Sequence, residues 1–166
     1  IGKRLGNLFA KGKHSGKTLS YAETFTWNGA LKYADAVKDD ELLLPLITGF
    51  EPFFTTDKDL LPGMDHVDRN MFGSLPLTLY LITKDERYRE MGMPYADTQW
   101  EVSENASASA KSWAEKGYSW QTRLWIDDMY MIPIIQMHAY KVTGDMKYVE
   151  RAAKEMEMYL DKLQRS

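Results

Sequence analysis

Apolar positions recur along this chain at helical spacing, and they do so in two distinct ways. From Val149 to Leu163, the residues Val149, Ala152, Ala153, Met156, Leu160 and Leu163 return every three or four positions, with Lys and Glu between them. One apolar face and one charged face predict an amphipathic helix lying on a core. The run from Trp125 to Tyr140 is apolar or aromatic in nearly every direction, so that helix is expected to be buried on most sides, with a kink at Pro133.

The two kinds of helix alternate, and the alternation repeats. "LYLITKDERYREM", Leu79 to Met91, matches "AYKVTGDMKYVER", Ala139 to Arg151, at an offset of 60 residues, and "YADAVKDDELL", Tyr33 to Leu43, is a weaker copy. The Thr-x-Asp shared by the two strong copies is a tight turn whose Asp can cap the helix that follows. Three helical hairpins are therefore predicted, pairing 24–37 with 40–51, 68–82 with 85–100 and 125–142 with 145–164. Buried helices alternating with amphipathic ones imply two concentric layers, as in an α/α toroid, although a plain helical bundle satisfies the same pattern. The fold class expected is all-α, over residues 21–166, preceded by a basic N-terminal arm over 1–20 (Lys3, Arg4, Lys11, Lys13, Lys17) that reads as solvated or loosely ordered.

Two long connections separate the hairpins, Pro52 to Val67 and Glu101 to Thr122, and loops of that length are usually functional or disordered. Ser103 to Ser109 reads as mobile, while Trp113, Tyr118 and Trp120 should be tied down. Asn105-Ala106-Ser107 is a glycosylation sequon, a weak signal by itself.

The acids sharpen this picture. Asp68 precedes its turn residue Asp85 by 17 positions, and Asp127 precedes Asp145 by 18. Both therefore start a buried helix in equivalent repeats, and in a toroid all such starts share one rim. Asp68, Asp127, His66, Trp120, Trp125 and Trp27 are expected to converge there, with aromatic faces for stacking and a carboxylate pair for acid–base work. The plainer reading is that Asp is a common helix cap, and for Asp127–Asp128 one acid can cap while the other works.

Composition narrows the classes. Of 166 residues, 13% are aromatic, including five Trp and ten Tyr, and none is Cys, which removes disulfides, thiol catalysis and cysteine metal sites. A net charge of −3 gives no general attraction to nucleic acid or to an anionic membrane, and no apolar run reaches bilayer length. His14, His66 and His138 lack metal-ligand spacing, so neither metal nor cofactor is expected, and His138 reads as a packing histidine. "GKHSGKT", Gly12 to Thr18, resembles a phosphate-binding loop but is one residue short and follows no strand. Nothing decides between periplasm and cytoplasm.

Two stretches carry a family resemblance. "DRNMFGSLPLTLY", Asp68 to Tyr80, and "RLWIDDMYM", Arg123 to Met131, resemble the unsaturated rhamnogalacturonyl and glucuronyl hydrolases of glycoside hydrolase families 105 and 88. Those enzymes carry an Asp with a Gly five residues on, and a Trp-x-Asp motif ending in Met, here Trp125, Asp127, Met129, Tyr130 and Met131. "TWNGAL", Thr26 to Leu31, is similar to their first inner helix. The resemblance implies an (α/α)6 barrel, of which three hairpins are about half, acting on oligosaccharides with a 4,5-unsaturated uronic acid. It implies Asp127 as the acid and base that hydrates the double bond, Asp68 as a supporting carboxylate, and Trp27, His66, Arg123 and Trp125 as ligands for stacking or for the uronate. Asp128 is the structural partner. Half a barrel also implies self-association, or a further half that covers the inner helices. Two other classes fit the same rim: a non-catalytic carbohydrate-binding or scaffolding hairpin protein, and another α/α toroid sugar enzyme such as an epimerase.

Overall fold

The computed structural model describes residues 2–11 and 18–164, and these are mostly helical with no strand among them. The helices are α1 (Gly2–Lys11), α2 (Tyr21–Val37), α3 (Asp40–Thr48), α4 (Val67–Asn70), α5 (Ser74–Thr83), α6 (Glu86–Thr98), α7 (Ala108–Glu115), α8 (Asp128–Thr143) and α9 (Met146–Leu163). Three hairpins are present: α2 with α3, the broken pair α4–α5 with α6, and α8 with α9. The first helices of the hairpins form one layer, in which α5 packs against both α2 and α8, and each second helix packs outside its own first helix.

All three turns are built alike. The helix ends on a residue in the left-handed conformation, Lys38, Lys84 or Gly144, with φ of 56°, 63° and 74°. The next residue, Asp39, Asp85 or Asp145, accepts a backbone N–H of the following helix and so caps it. The weak third copy around Tyr33 to Leu43 is thus a true member of the repeat.

The core lies between the layers. Trp27, Phe50, Phe53, Phe72 and Tyr88 are almost wholly buried, and Phe50 stacks on Phe72 with centroids 6.0 Å apart. Polar links register the helices: Asn28 donates to the Ser74 hydroxyl at 2.8 Å, Asn70 to the Tyr95 carbonyl at 2.6 Å, and Gln136 to the Ala96 carbonyl at 2.7 Å. Gly73 sits where three helices meet, and a Cβ there would lie 2.5 Å from Ile135 Cδ1 and on top of Tyr95. That close approach is the physical reason for a glycine five residues after Asp68.

Several expectations are revised. Residues 2–11 form a helix packed on α2 and α3 rather than a loose arm. Its glycines permit the contact, since a Cβ on Gly6 would meet Leu42 at 2.9 Å, while Lys3 pairs with Asp39 at 2.8 Å. Lys13, Lys17, His14 and most of the phosphate-loop-like stretch lie outside the described residues. The connection from Glu101 to Thr122 contains α7, capped by Ser107. In α9 the buried face is Tyr148, Ala152, Glu155 and Tyr159, not the apolar stripe read from the sequence. Of that stripe only Ala152 is buried; Val149, Met156 and Leu163 are partly covered, and Leu160 and Ala153 are exposed.

Candidate active site

The first turns of the inner helices, together with the segment between α7 and α8, bring four charged side chains together. Arg123 lies on that segment with its side chain one-fifth exposed. Its Nη2 donates to Asp128 Oδ1 at 2.6 Å and to Asp68 Oδ1 at 3.0 Å, and it lies 3.9 Å from Asp127 Oδ2. Asp68 and Asp127 therefore flank a single guanidinium nitrogen, and the sum of those two distances bounds the separation of their oxygens. The expected convergence of the two acids on one rim is what the geometry shows.

The three acids differ in environment. Asp128 is fully buried; it accepts from Arg123 Nε at 3.2 Å, from the Arg123 backbone N–H at 3.2 Å and from the Tyr159 hydroxyl at 3.0 Å. Asp127 occupies the cap position of α8 but makes no capping bond, and its side chain is about half exposed. Asp68 makes no capping bond either, because His66 holds the cap of α4: its Nδ1 accepts the Asp68 N–H at 3.2 Å. The cap reading of these acids is thus replaced, with Asp128 an ion-pair anchor and Asp127 the freest of the three.

Electrostatics follow from this crowding. Burial works against the charge on Arg123, but the Asp128 hydrogen bond and the neighbouring Asp68 and Asp127 outweigh it and hold the guanidinium above its ordinary pKa. Three carboxylates around one guanidinium leave the cluster formally negative. The resemblance implied Arg123 among the ligands for stacking or for the uronate, and a guanidinium binds a carboxylate best through its two-pronged fork. In the structure the Nε/Nη2 fork is engaged by Asp128, which leaves Nη1, whose neighbour is His66 Nε2 at 3.4 Å. The guanidinium also lies 4.4 Å from the centre of the Trp125 ring, and that ring is 60% exposed.

The other residues expected at the rim divide. Trp120 is half-buried, its indole donating to the Thr98 carbonyl at 2.6 Å. It lines a cavity of about 300 Å³ with Asp65, His66, Gln121 and Arg123, beside the N-terminus of α7. Trp27 is a correction: it is 1% exposed, its indole donates to the Leu46 carbonyl at 3.0 Å, and it packs on Phe50 and Phe53, so it offers no face to a sugar. Tyr130 adds a ring that the site reading lacked; it stacks on Phe25 of α2 with centroids 4.5 Å apart and remains 40% exposed one turn after Asp127. His138 is buried and donates to the Ile134 carbonyl at 2.7 Å, and burial pushes it down to about 4, so it is a neutral packing residue.

Sequence reading missed two residues of α9. Glu155 is buried, accepts the Ser119 N–H at 3.1 Å and the Thr122 hydroxyl, and is raised in pKa by burial. Tyr159 is buried and accepts the Leu124 N–H at 3.3 Å while donating to Asp128. The available signal was their spacing: with Tyr148 and Ala152 they form one face at helical period, at an angle to the apolar stripe. Among the described residues, no group of three or more His, Cys, Asp or Glu is placed to hold a metal ion, and no helix is long and apolar enough to cross a membrane.

A helical-hairpin array with carboxylates and aromatic rings gathered at its inner-helix starts has the architecture and the side chains of a carbohydrate-handling α/α toroid. Comparison with known proteins makes this particular: the model of Glycosyl Hydrolase Family 88 matches residues 7–165, and the chain belongs to that family. It is a glycoside hydrolase with an oligosaccharide substrate, and its family forms (α/α)6 barrels, of which the described residues supply three hairpins. No curated protein and no solved structure matches it.

Proposed function

We propose that this glycoside hydrolase removes a 4,5-unsaturated uronic acid from the non-reducing end of pectin- or rhamnogalacturonan-derived oligosaccharides by hydrating the double bond. The observation that carries the reading is Asp127: a half-exposed, uncapped carboxyl at an inner-helix start, facing Asp68 across one guanidinium. Asp127 protonates C4 of the alkene, and the ring oxygen stabilises the cation that forms at C5. Water adds at C5, losing its proton to the same carboxylate, so the proton is returned and the net change is one water added. The resulting hemiketal opens to a ketone, which leaves C1 as a hemiacetal that collapses to an aldehyde and releases the next sugar. Asp68 supports the charge, while Trp125, Trp120 and His66 border the position of the sugar rings.

The test is disappearance of the alkene absorbance when the full chain is incubated with unsaturated pectin-derived disaccharides. Asp127→Asn is expected to lower the rate by about 10²-fold or more, the usual contribution of a general acid–base group. A wild-type chain inactive on every unsaturated uronide, or an Asp127→Asn chain as active as wild type, overturns the assignment.

A further inference from the structure

The site is held from behind by α9, a helix of the outer layer. Leu124 adopts φ of 62°, a left-handed conformation unfavourable for a branched residue, between Arg123 and Trp125. Strain of this kind persists only where the surroundings over-determine it, and here α9 does so at two points one turn apart. Glu155 takes the Ser119 N–H and the Thr122 hydroxyl, which fixes the segment leading into Arg123. Tyr159 takes the Leu124 N–H at 3.3 Å and gives its own proton to Asp128 Oδ2 at 3.0 Å. Asp128 in turn holds the backbone and the side chain of Arg123, whose Nη2 joins Asp68.

We infer that Tyr159 is a positioning residue of this site: from the outer layer it fixes Asp128, and through it the guanidinium that lies between Asp68 and Asp127. A buried tyrosine needs a partner for its hydroxyl, and any carbonyl would serve. This hydroxyl instead bridges the strained peptide and the buried carboxylate, so it couples the conformation at Leu124 to the placement of Arg123. Neither a packing role nor helix attachment calls for that bridge. Tyr148, on the same face of α9, supplies the contrast: it is equally buried and its hydroxyl donates to Asp97 at 2.9 Å, outside the network. The catalytic consequence of the Tyr159 bridge rests on the proposed hydration reaction; the placement of Arg123 does not.

Tyr159→Phe keeps the ring and removes only the hydroxyl, and Tyr148→Phe is the matched control. In chains carrying ¹⁵N-arginine, with the Arg123 Nε–H assigned by Arg123→Lys, solvent exchange of that proton is the direct readout. Tyr159→Phe is expected to speed exchange about tenfold, the equivalent of one hydrogen bond, and Tyr148→Phe to leave it unchanged. On an unsaturated uronide, Tyr159→Phe is expected to lower kcat about tenfold with KM within about twofold, as for a displaced catalytic geometry rather than lost binding. Unchanged Arg123 exchange in Tyr159→Phe, or an equal change in Tyr148→Phe, overturns the inference. If wild type does not act on the uronide, the reaction reading fails and the exchange comparison alone decides the role of Tyr159.

Discussion

Asp128→Asn separates the anchor of the site from its reactive group. The Asp128 carboxylate is fully buried and accepts from Arg123 through the backbone N–H, Nε and Nη2, and from the Tyr159 hydroxyl. Asparagine has the same shape but no charge, and its NH₂ cannot accept, so at least one of these donors is left facing another donor. Removing one partner of a buried ion pair costs about 3–5 kcal/mol. Arg123 keeps Asp68 at 3.0 Å and is itself one-fifth exposed, which places the expected loss at the low end, about 3 kcal/mol. For a domain of this size that is a fall in Tm of about 6–12 °C. In urea it is a lower midpoint with an unchanged slope. Asp127→Asn provides the internal control: its side chain is half exposed and its ion pair is 3.9 Å long, so its effect on stability is expected within about 0.5 kcal/mol. A loss in Asp128→Asn below about 1 kcal/mol, or no larger than that of Asp127→Asn, refutes the picture of a buried anchor beside a free acid.

Three further outcomes follow from the packing. Gly73→Ala places a methyl group against Ile135 and Tyr95, and is expected to cost about 1–3 kcal/mol by urea unfolding; a neutral result would show that α5, α6 and α8 separate easily. Lys84 holds φ of 63° in a turn where Gly144 does the same work in the third hairpin, so Lys84→Gly is expected to stabilise by about 1 kcal/mol in the same measurement. His138 is lowered to about 4 by burial, aided by Lys32 and Lys141, so the unfolded chain binds a proton that the folded chain refuses. Its contribution is therefore intact above the ordinary value near 6.5 and is lost as pH falls from there toward 4, by up to about 3 kcal/mol. His138→Gln should flatten that part of the stability–pH curve, and an unchanged slope would mean that the ring is not the group responsible.

The sequence by itself determined the local structure. Period-3.6 apolar spacing marks the paired helices, and a capping Asp at each turn, preceded by Thr-x in the second and third hairpins, marks the hairpins; both signals act between residues a few positions apart. The equivalence of Asp68 and Asp127 was legible for the same reason, because a repeat puts equal positions on equal parts of the fold. The family resemblance followed from motifs at those positions.

What tertiary structure alone decided is which neighbour each side chain meets. Trp27 carries the same sugar-stacking chemistry as Trp125, yet one lies in the core and the other is exposed, since the difference lies in whether Phe50, Phe53 and Leu46 close over the ring. The α1 helix and the face that α9 buries were likewise settled by contacts across the chain. Asp127 and Asp128 are adjacent and chemically identical, and a one-residue step on a helix turns the side chain by about 100°. That turn directs Asp128 into Arg123 and Tyr159, from a segment and an outer helix distant in sequence, and leaves Asp127 facing the rim. The composition of the site was written locally, but the division of labour within it belongs to long-range packing.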